Sequence, residues 1–143
     1  MYSILLAPLV AGFLAQVIKF VIRSNQQKFS FKNLLAYSGM PSGHTAMVVS
    51  LATITGLESG FHSALFAITF ILAVIVIRDA LGIRRYLGRH GRTINLLVED
   101  LREDKMLDEQ YPHLLERIGH TPAQVLVGGI LGLAISTIIF LVM

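Results

Sequence analysis

Four apolar stretches, Tyr2 to Ile22, Thr45 to Leu57, Phe61 to Ile77 and Pro122 to Met143, make up most of this chain, and every charged side chain except Lys19 lies outside them. A run of about 20 apolar residues is the length that crosses a bilayer, and only a helix lets such a run satisfy its own backbone there. The first and last runs have that length. The middle two are shorter, and the second reaches it only by starting near Ser42 and continuing into Glu58, as a thin or tilted helix. Glu58-Ser59-Gly60 reads as the tight turn between them. With 54% hydrophobic and 15% charged residues, the chain is too apolar for an ordinary soluble domain. The expected fold is therefore all-α: one membrane domain over 1–143, a helical bundle with about four transmembrane helices near 2–22, 43–58, 61–78 and 122–143. The N-terminus lacks the basic start and small-residue cleavage site of a secretory signal, so the first run reads as a retained span. There is no cysteine to form a disulfide or a thiolate metal site.

The basic residues set the expected orientation. All twelve lie either around the end of the first run (Lys19, Arg23, Lys28, Lys32) or between the third and fourth (Arg78 to Arg117). The positive-inside rule then places both connecting loops in the cytoplasm and both termini outside. A net charge of +3 gives no reason to invoke nucleic acid. Within the loop 83–119, Ile94, Leu97, Val98 and Leu101 follow the i, i+3, i+4, i+7 spacing of an amphipathic helix, with Glu99 and Asp100 toward water. Such a helix lies across the ends of the spans or pairs with another subunit. Leu114, Leu115 and Ile118 read as a second short turn started by Pro112.

Two histidines share an unusual setting. Pro41-Ser42-Gly43-His44 delivers one to the first turn of an apolar helix, and Gly119-His120-Thr121-Pro122 delivers the other just before a second. Helix starts carry free amides and the positive end of the dipole, which favours an anion. Ser42 can cap its helix, and Gly39 and Gly43 let backbone approach a ligand. Gln124, one turn beyond His120, has an amide that can orient the imidazole. Lys19, beside Gln16, either snorkels to the headgroups or faces a ligand. Arg84 and Arg85 suit both anionic-lipid attraction and a grip on phosphate oxygens, and Asp79 can hold Arg84 or Lys19 in place. His62, His90 and His113 read as surface or interfacial residues. No histidine-carboxylate spacing within one helix suggests zinc, so no metal site is assigned, and nothing in the sequence implies magnesium.

These residues resemble the type 2 phosphatidic acid phosphatase superfamily, and more closely its divergent PAP2 group. The resemblance is carried by Gln16 and Lys19, by Gly39 to Ala46, by Asp79-Ala80-Leu81-Gly82-Ile83-Arg84-Arg85 and by Gly119-His120-Thr121. It implies that His120 is a nucleophile taking a phosphoryl group, that His44 protonates the leaving oxygen, and that Lys19, with Ser42, Gly43, Arg84, Arg85 or Arg117, binds phosphate. The chain departs from the superfamily pattern in three places. No Arg-Pro pair follows Lys19, Gln124 stands where an Asp is usual, and the Ser-Arg pair upstream of the later histidine is missing.

The functional expectation is an integral membrane phosphatase acting on a lipid phosphate or polyprenyl (di)phosphate through a phosphohistidine, with no cofactor required. Its partners would be that lipid, the bilayer and further copies of itself. Competing expectations are a non-catalytic lipid-phosphate-binding or scaffold protein and a small oligomeric transporter.

Overall fold

The computed structural model of the protein describes residues 2–22, 39–103, 114, 116 and 119–143. Five helices appear among them: α1 (Tyr2–Val21), α2 (Gly43–Ser59), α3 (Ala64–Leu81), α4 (Ile83–Glu103) and α5 (Pro122–Val142). Three helical runs are long and apolar enough to cross a membrane: α1, the run Ala64–Leu101 that begins with α3, and α5. The fourth member of the bundle, α2, has only 17 residues. It is also the central one, packed against α5, α1 and α3, so little of it needs to face lipid. The protein is an all-helical integral membrane bundle.

Small residues explain how closely the helices approach. Ala7, Ala11 and Ala15 place methyl groups along one stripe of α1, all fully buried. On α5, Gly128, Gly132 and Ser136 form a second stripe at four-residue spacing. A Cβ built on Gly132 would lie 2.3 Å from the Ala46 carbonyl oxygen, and one on Gly128 would lie 2.5 Å from that of Ser42. Between membrane helices there is no hydrophobic drive to associate, so contact of this closeness supplies the dispersion energy instead. Ser136 completes the seam, its hydroxyl donating to the Ser50 carbonyl at 2.8 Å and lying 2.6 Å from the Ser50 hydroxyl. At the opposite end from the histidines, the Ser3 hydroxyl donates to the Glu58 carboxylate and ties α1 to the end of α2.

Two boundaries differ from the sequence reading. The third span, expected over 61–78, runs from Ala64 to Leu81. Ser63 starts it by accepting the Phe66 N–H at 3.1 Å, so Phe61 and His62 belong to the turn and Arg78 and Asp79 to the helix itself. The amphipathic helix begins at Ile83, well before Ile94, separated from α3 only by Gly82. Gly88 and Gly91, which weaken a helical reading of the sequence, are buried within it. Leu114 is outside any helix and is held by the Asn95 side chain, which takes its N–H and donates to its carbonyl, both at 2.9 Å. The expected turn through Leu115 and Ile118 lies outside the described residues.

Candidate functional site

Three helix ends meet at one point because two backbone hydrogen bonds tie them together. The Ser42 N–H donates to the Gln124 carbonyl at 3.0 Å, joining the start of α2 to the first turn of α5. The His120 N–H donates to the Ala80 carbonyl at 3.1 Å, joining the residues before α5 to the end of α3. Gly119 makes that approach possible. Its φ is +96°, and a Cβ there would sit 2.9 Å from the backbone nitrogen of Arg85, so both conformation and space call for glycine. On the other side, a Cβ on Gly43 would lie 3.5 Å from the Gln16 side-chain nitrogen, which brings in the end of α1.

The two helix starts are well capped. Ser42, with a cis peptide between Met40 and Pro41 before it, is fully buried. Its hydroxyl oxygen accepts the Thr45 N–H at 3.4 Å and the Thr45 hydroxyl at 2.9 Å. Thr121 and Gln124 form a reciprocal capping box at the start of α5. The Gln124 amide oxygen accepts the Thr121 N–H at 2.9 Å, and the Thr121 hydroxyl accepts the Gln124 N–H at 3.3 Å. α2 and α5 thus run parallel, with their positive ends at the same end of the bundle.

Between these ends lies a cavity of about 10 Å³, room for one water molecule, lined by His44, Val76, Asp79, Ala80, Arg84 and His120. The Arg84 Nε donates to the Asp79 carboxylate at 2.5 Å, which fixes the guanidinium against the cavity. His44 is exposed, whereas His120 keeps only 3% of its surface. Neither ring nitrogen of His120 has a hydrogen-bond partner among the described residues. Its pKa is pushed down to about 4, first by burial and then by the nearby positive charges of Lys19, His44 and Arg84. Lys19 itself is buried to 3% in the last turn of α1.

The structure brings His44, His120, Asp79 and Arg84 to one cavity, and Lys19 stands close enough to act on His120 electrostatically. Three expectations change. Gln124 closes the α5 cap with its amide oxygen on the Thr121 N–H, and it makes no hydrogen bond to either ring nitrogen of His120. Both the hydroxyl and the N–H of Ser42 are engaged in the turn, so it shapes the cradle from within. Arg85 is exposed and outside the cavity lining, its backbone set against Gly119. Arg117 lies outside the described residues. The Ala80 carbonyl and Val76 have no part in the site as read from the sequence: Ala80 lies in the quoted stretch but acts through its backbone, and Val76 is one valine in an apolar helix. No three histidine or acidic side chains gather into a candidate metal site among the described residues.

No solved structure matches this chain. It is 35% identical to the uncharacterized membrane protein YuiD of Bacillus subtilis (strain 168), over 94% of this chain and 92% of that protein. The sequence pattern of the divergent PAP2 family matches residues 2–135, which include Lys19, His44, Asp79, Arg84 and His120 alike. The chain belongs to the divergent PAP2 family.

Proposed function

We propose that the protein is a lipid phosphate phosphatase whose phosphoryl-transfer site is the pocket between His44 and His120, at the cytoplasmic face. The observation that carries the reading is the convergence of two histidines, Arg84 and Asp79 on one cavity at the starts of two parallel helices. A phosphate group there meets the positive helix ends and the Arg84 fork, with the Lys19 charge behind. His120 is neutral at pH 7 because its pKa is far below that value, so a ring nitrogen holds a free electron pair. That nitrogen attacks phosphorus, the bond to the lipid oxygen breaks, and His44 gives its proton to the departing alkoxide. The dianionic phosphate favours the protonated form of His44 that this step needs. Water then attacks the phosphohistidine, His44 takes the water's proton, and inorganic phosphate leaves. The lipid chain stays in the bilayer throughout.

One observation favours a second reading, a lipid-phosphate-binding protein without turnover. A carboxylate beside an attacking histidine fixes its tautomer and stabilises the imidazolium. Here the Gln124 amide oxygen is committed to the helix cap, and no hydrogen bond from the described residues orients the His120 ring. Purified protein in detergent with a radiolabelled lipid phosphate separates the two readings. The phosphatase releases inorganic phosphate and carries acid-labile label on His120, and His120→Ala loses both by on the order of a thousandfold. Saturable binding with no release and no protein-bound label over a long incubation establishes the binding protein. Turnover unchanged in His120→Ala sinks the nucleophile assignment.

A further inference from the structure

The amphipathic helix does not lie across the ends of the spans. α4 packs on α3 and barely reaches α1, α2 or α5. Gly82, the residue between α3 and α4, has φ −103° and ψ −93°, away from helical values, so α4 turns out of the line of α3. One side of α4 is occupied. Arg84 is held by Asp79, Gly119 rests against the backbone of Arg84 and Arg85, and the Asn95 amide bonds both the N–H and the carbonyl of Leu114. Arg84, Gly88, Gly91 and Asn95 follow one another at i, i+4, i+7 and i+11, which is one face, and both glycines on it are buried.

The neighbouring face is bare. Ile83, Tyr86, Leu87, Ile94, Leu97 and Leu101 fall within an arc of about 100°, and His90, also exposed, lies among them. Each of the six keeps between 38% and 73% of its surface open, so none of the described residues covers this face. The side opposite is charged, and unevenly so. Arg85, Arg89 and Arg92, all exposed, come in the first three turns, and Glu99 and Asp100 follow only after them.

Position and charge together name what covers the bare face. α3 opens one of the membrane-crossing runs and only Gly82 separates it from α4, so the first turns of α4 stand at the level where the bilayer ends. The arginine-rich half is the half at that level. Arginines there are drawn to the negative potential of anionic headgroups, which reaches about 8–10 Å from the surface. Tyr86, with the Arg89 guanidinium 5.9 Å from its ring centroid, is the kind of amphipathic aromatic that the headgroup layer favours. A wide apolar arc backed by arginines is the pattern of a helix lying in the bilayer surface with its apolar side about 5–10 Å deep. We infer that α4 lies on the bilayer beside the bundle with its Ile83 to Leu101 face in the headgroup boundary, and that the partner of this face is a lipid surface rich in anionic headgroups. The inference does not depend on what the histidine pocket binds.

The chain has no tryptophan and no cysteine, so a single introduced residue of either type is the sole reporter. Full-length Leu97→Trp is reconstituted in vesicles of phosphatidylcholine and phosphatidylglycerol whose acyl chains are brominated near the headgroup. Leu97 lies about 21 Å along α4 from Ile83, too far from α3 for its tryptophan to be quenched unless α4 lies on the surface. Strong quenching is expected in Leu97→Trp and Ile94→Trp, and several-fold weaker quenching in Glu99→Trp on the opposite side. Quenching at Leu97→Trp is expected to drop several-fold when phosphatidylcholine replaces phosphatidylglycerol, and likewise when Arg85, Arg89 and Arg92 are all changed to Gln. Equally weak quenching at all three positions overturns the docking. Strong quenching that neither change alters overturns the anionic preference. A disulfide-linked dimer of Leu97→Cys in vesicles, with Leu97→Trp unquenched, gives the face to a second copy and overturns the lipid assignment. All the substituted side chains are exposed, and Ile94→Trp reads the same face where Leu97→Trp does not fold.

Discussion

His120 shows how one side chain is made both costly and useful. Its ring is buried with both nitrogens unpartnered among the described residues, a state that costs about 1–3 kcal/mol for a buried polar group. The same burial, with the surrounding positive charges, keeps it neutral to about pH 4 against an ordinary value of 6.5. The sign of the linked stability follows directly. Between those values the unfolded chain binds a proton that the folded protein refuses, so acidification favours unfolding. Stability is full above about pH 6.5 and is lost progressively toward pH 4, by about 3 kcal/mol for this group. We expect the melting temperature in detergent to fall across that window, and the fall to be smaller in His120→Leu than in the wild type. An unchanged pH profile in the variant refutes the account.

At the scale of elements, the α2–α5 seam decides where the site can be. Gly128 and Gly132 let α5 lie with its backbone against the carbonyls of Ser42 and Ala46, which fixes both its rotation and its height. A Cβ on Gly129, one residue away, would make only ordinary contacts, 3.8 Å from a Val49 methyl carbon and 4.0 Å from that of Thr45. Gly132→Ala is therefore expected to destabilise by about 1–3 kcal/mol, the usual cost of overpacking, and Gly129→Ala by much less. Melting of the two variants side by side checks this, and equal loss in both contradicts the seam. Of these elements, α1, α2 and α5 are legible in the sequence to within a residue or two, because their ends carry a charge or a capping pattern. α3 was displaced because Phe61 and His62 continue the apolar run while Ser63, an unremarkable residue in sequence, sets the helix start. α4 was read short because arginines and the buried Gly88 and Gly91 hide its periodicity. Gln124 differs for another reason: it lies four residues beyond His120 but three beyond Thr121, which is the spacing of a capping box, and the Thr121 backbone N–H takes its amide oxygen.

For the whole molecule, the arrangement puts the ends of α1 and α3 and the starts of α2 and α5 together, so residues from all four helices gather at one end of the bundle. Both histidines and most of the site were readable because Gly-flanked helix starts and clustered basic residues point the same way. We also expect the site end to be cytoplasmic. Since the chain has no cysteine, single substitutions Ser59→Cys and Arg92→Cys report sidedness cleanly in intact cells. An impermeant maleimide should modify the first and spare the second. The reverse pattern overturns the orientation.

The parallel course of α2 and α5 has one more consequence. Two helices side by side with like poles together repel at both ends, and at this end the repulsion is joined by Lys19 and Arg84 against the Asp79 carboxylate. The backbone seam holds the poles together regardless. An anion entering the cavity at that end would meet the starts of both helices at once, beside the Arg84–Asp79 pair.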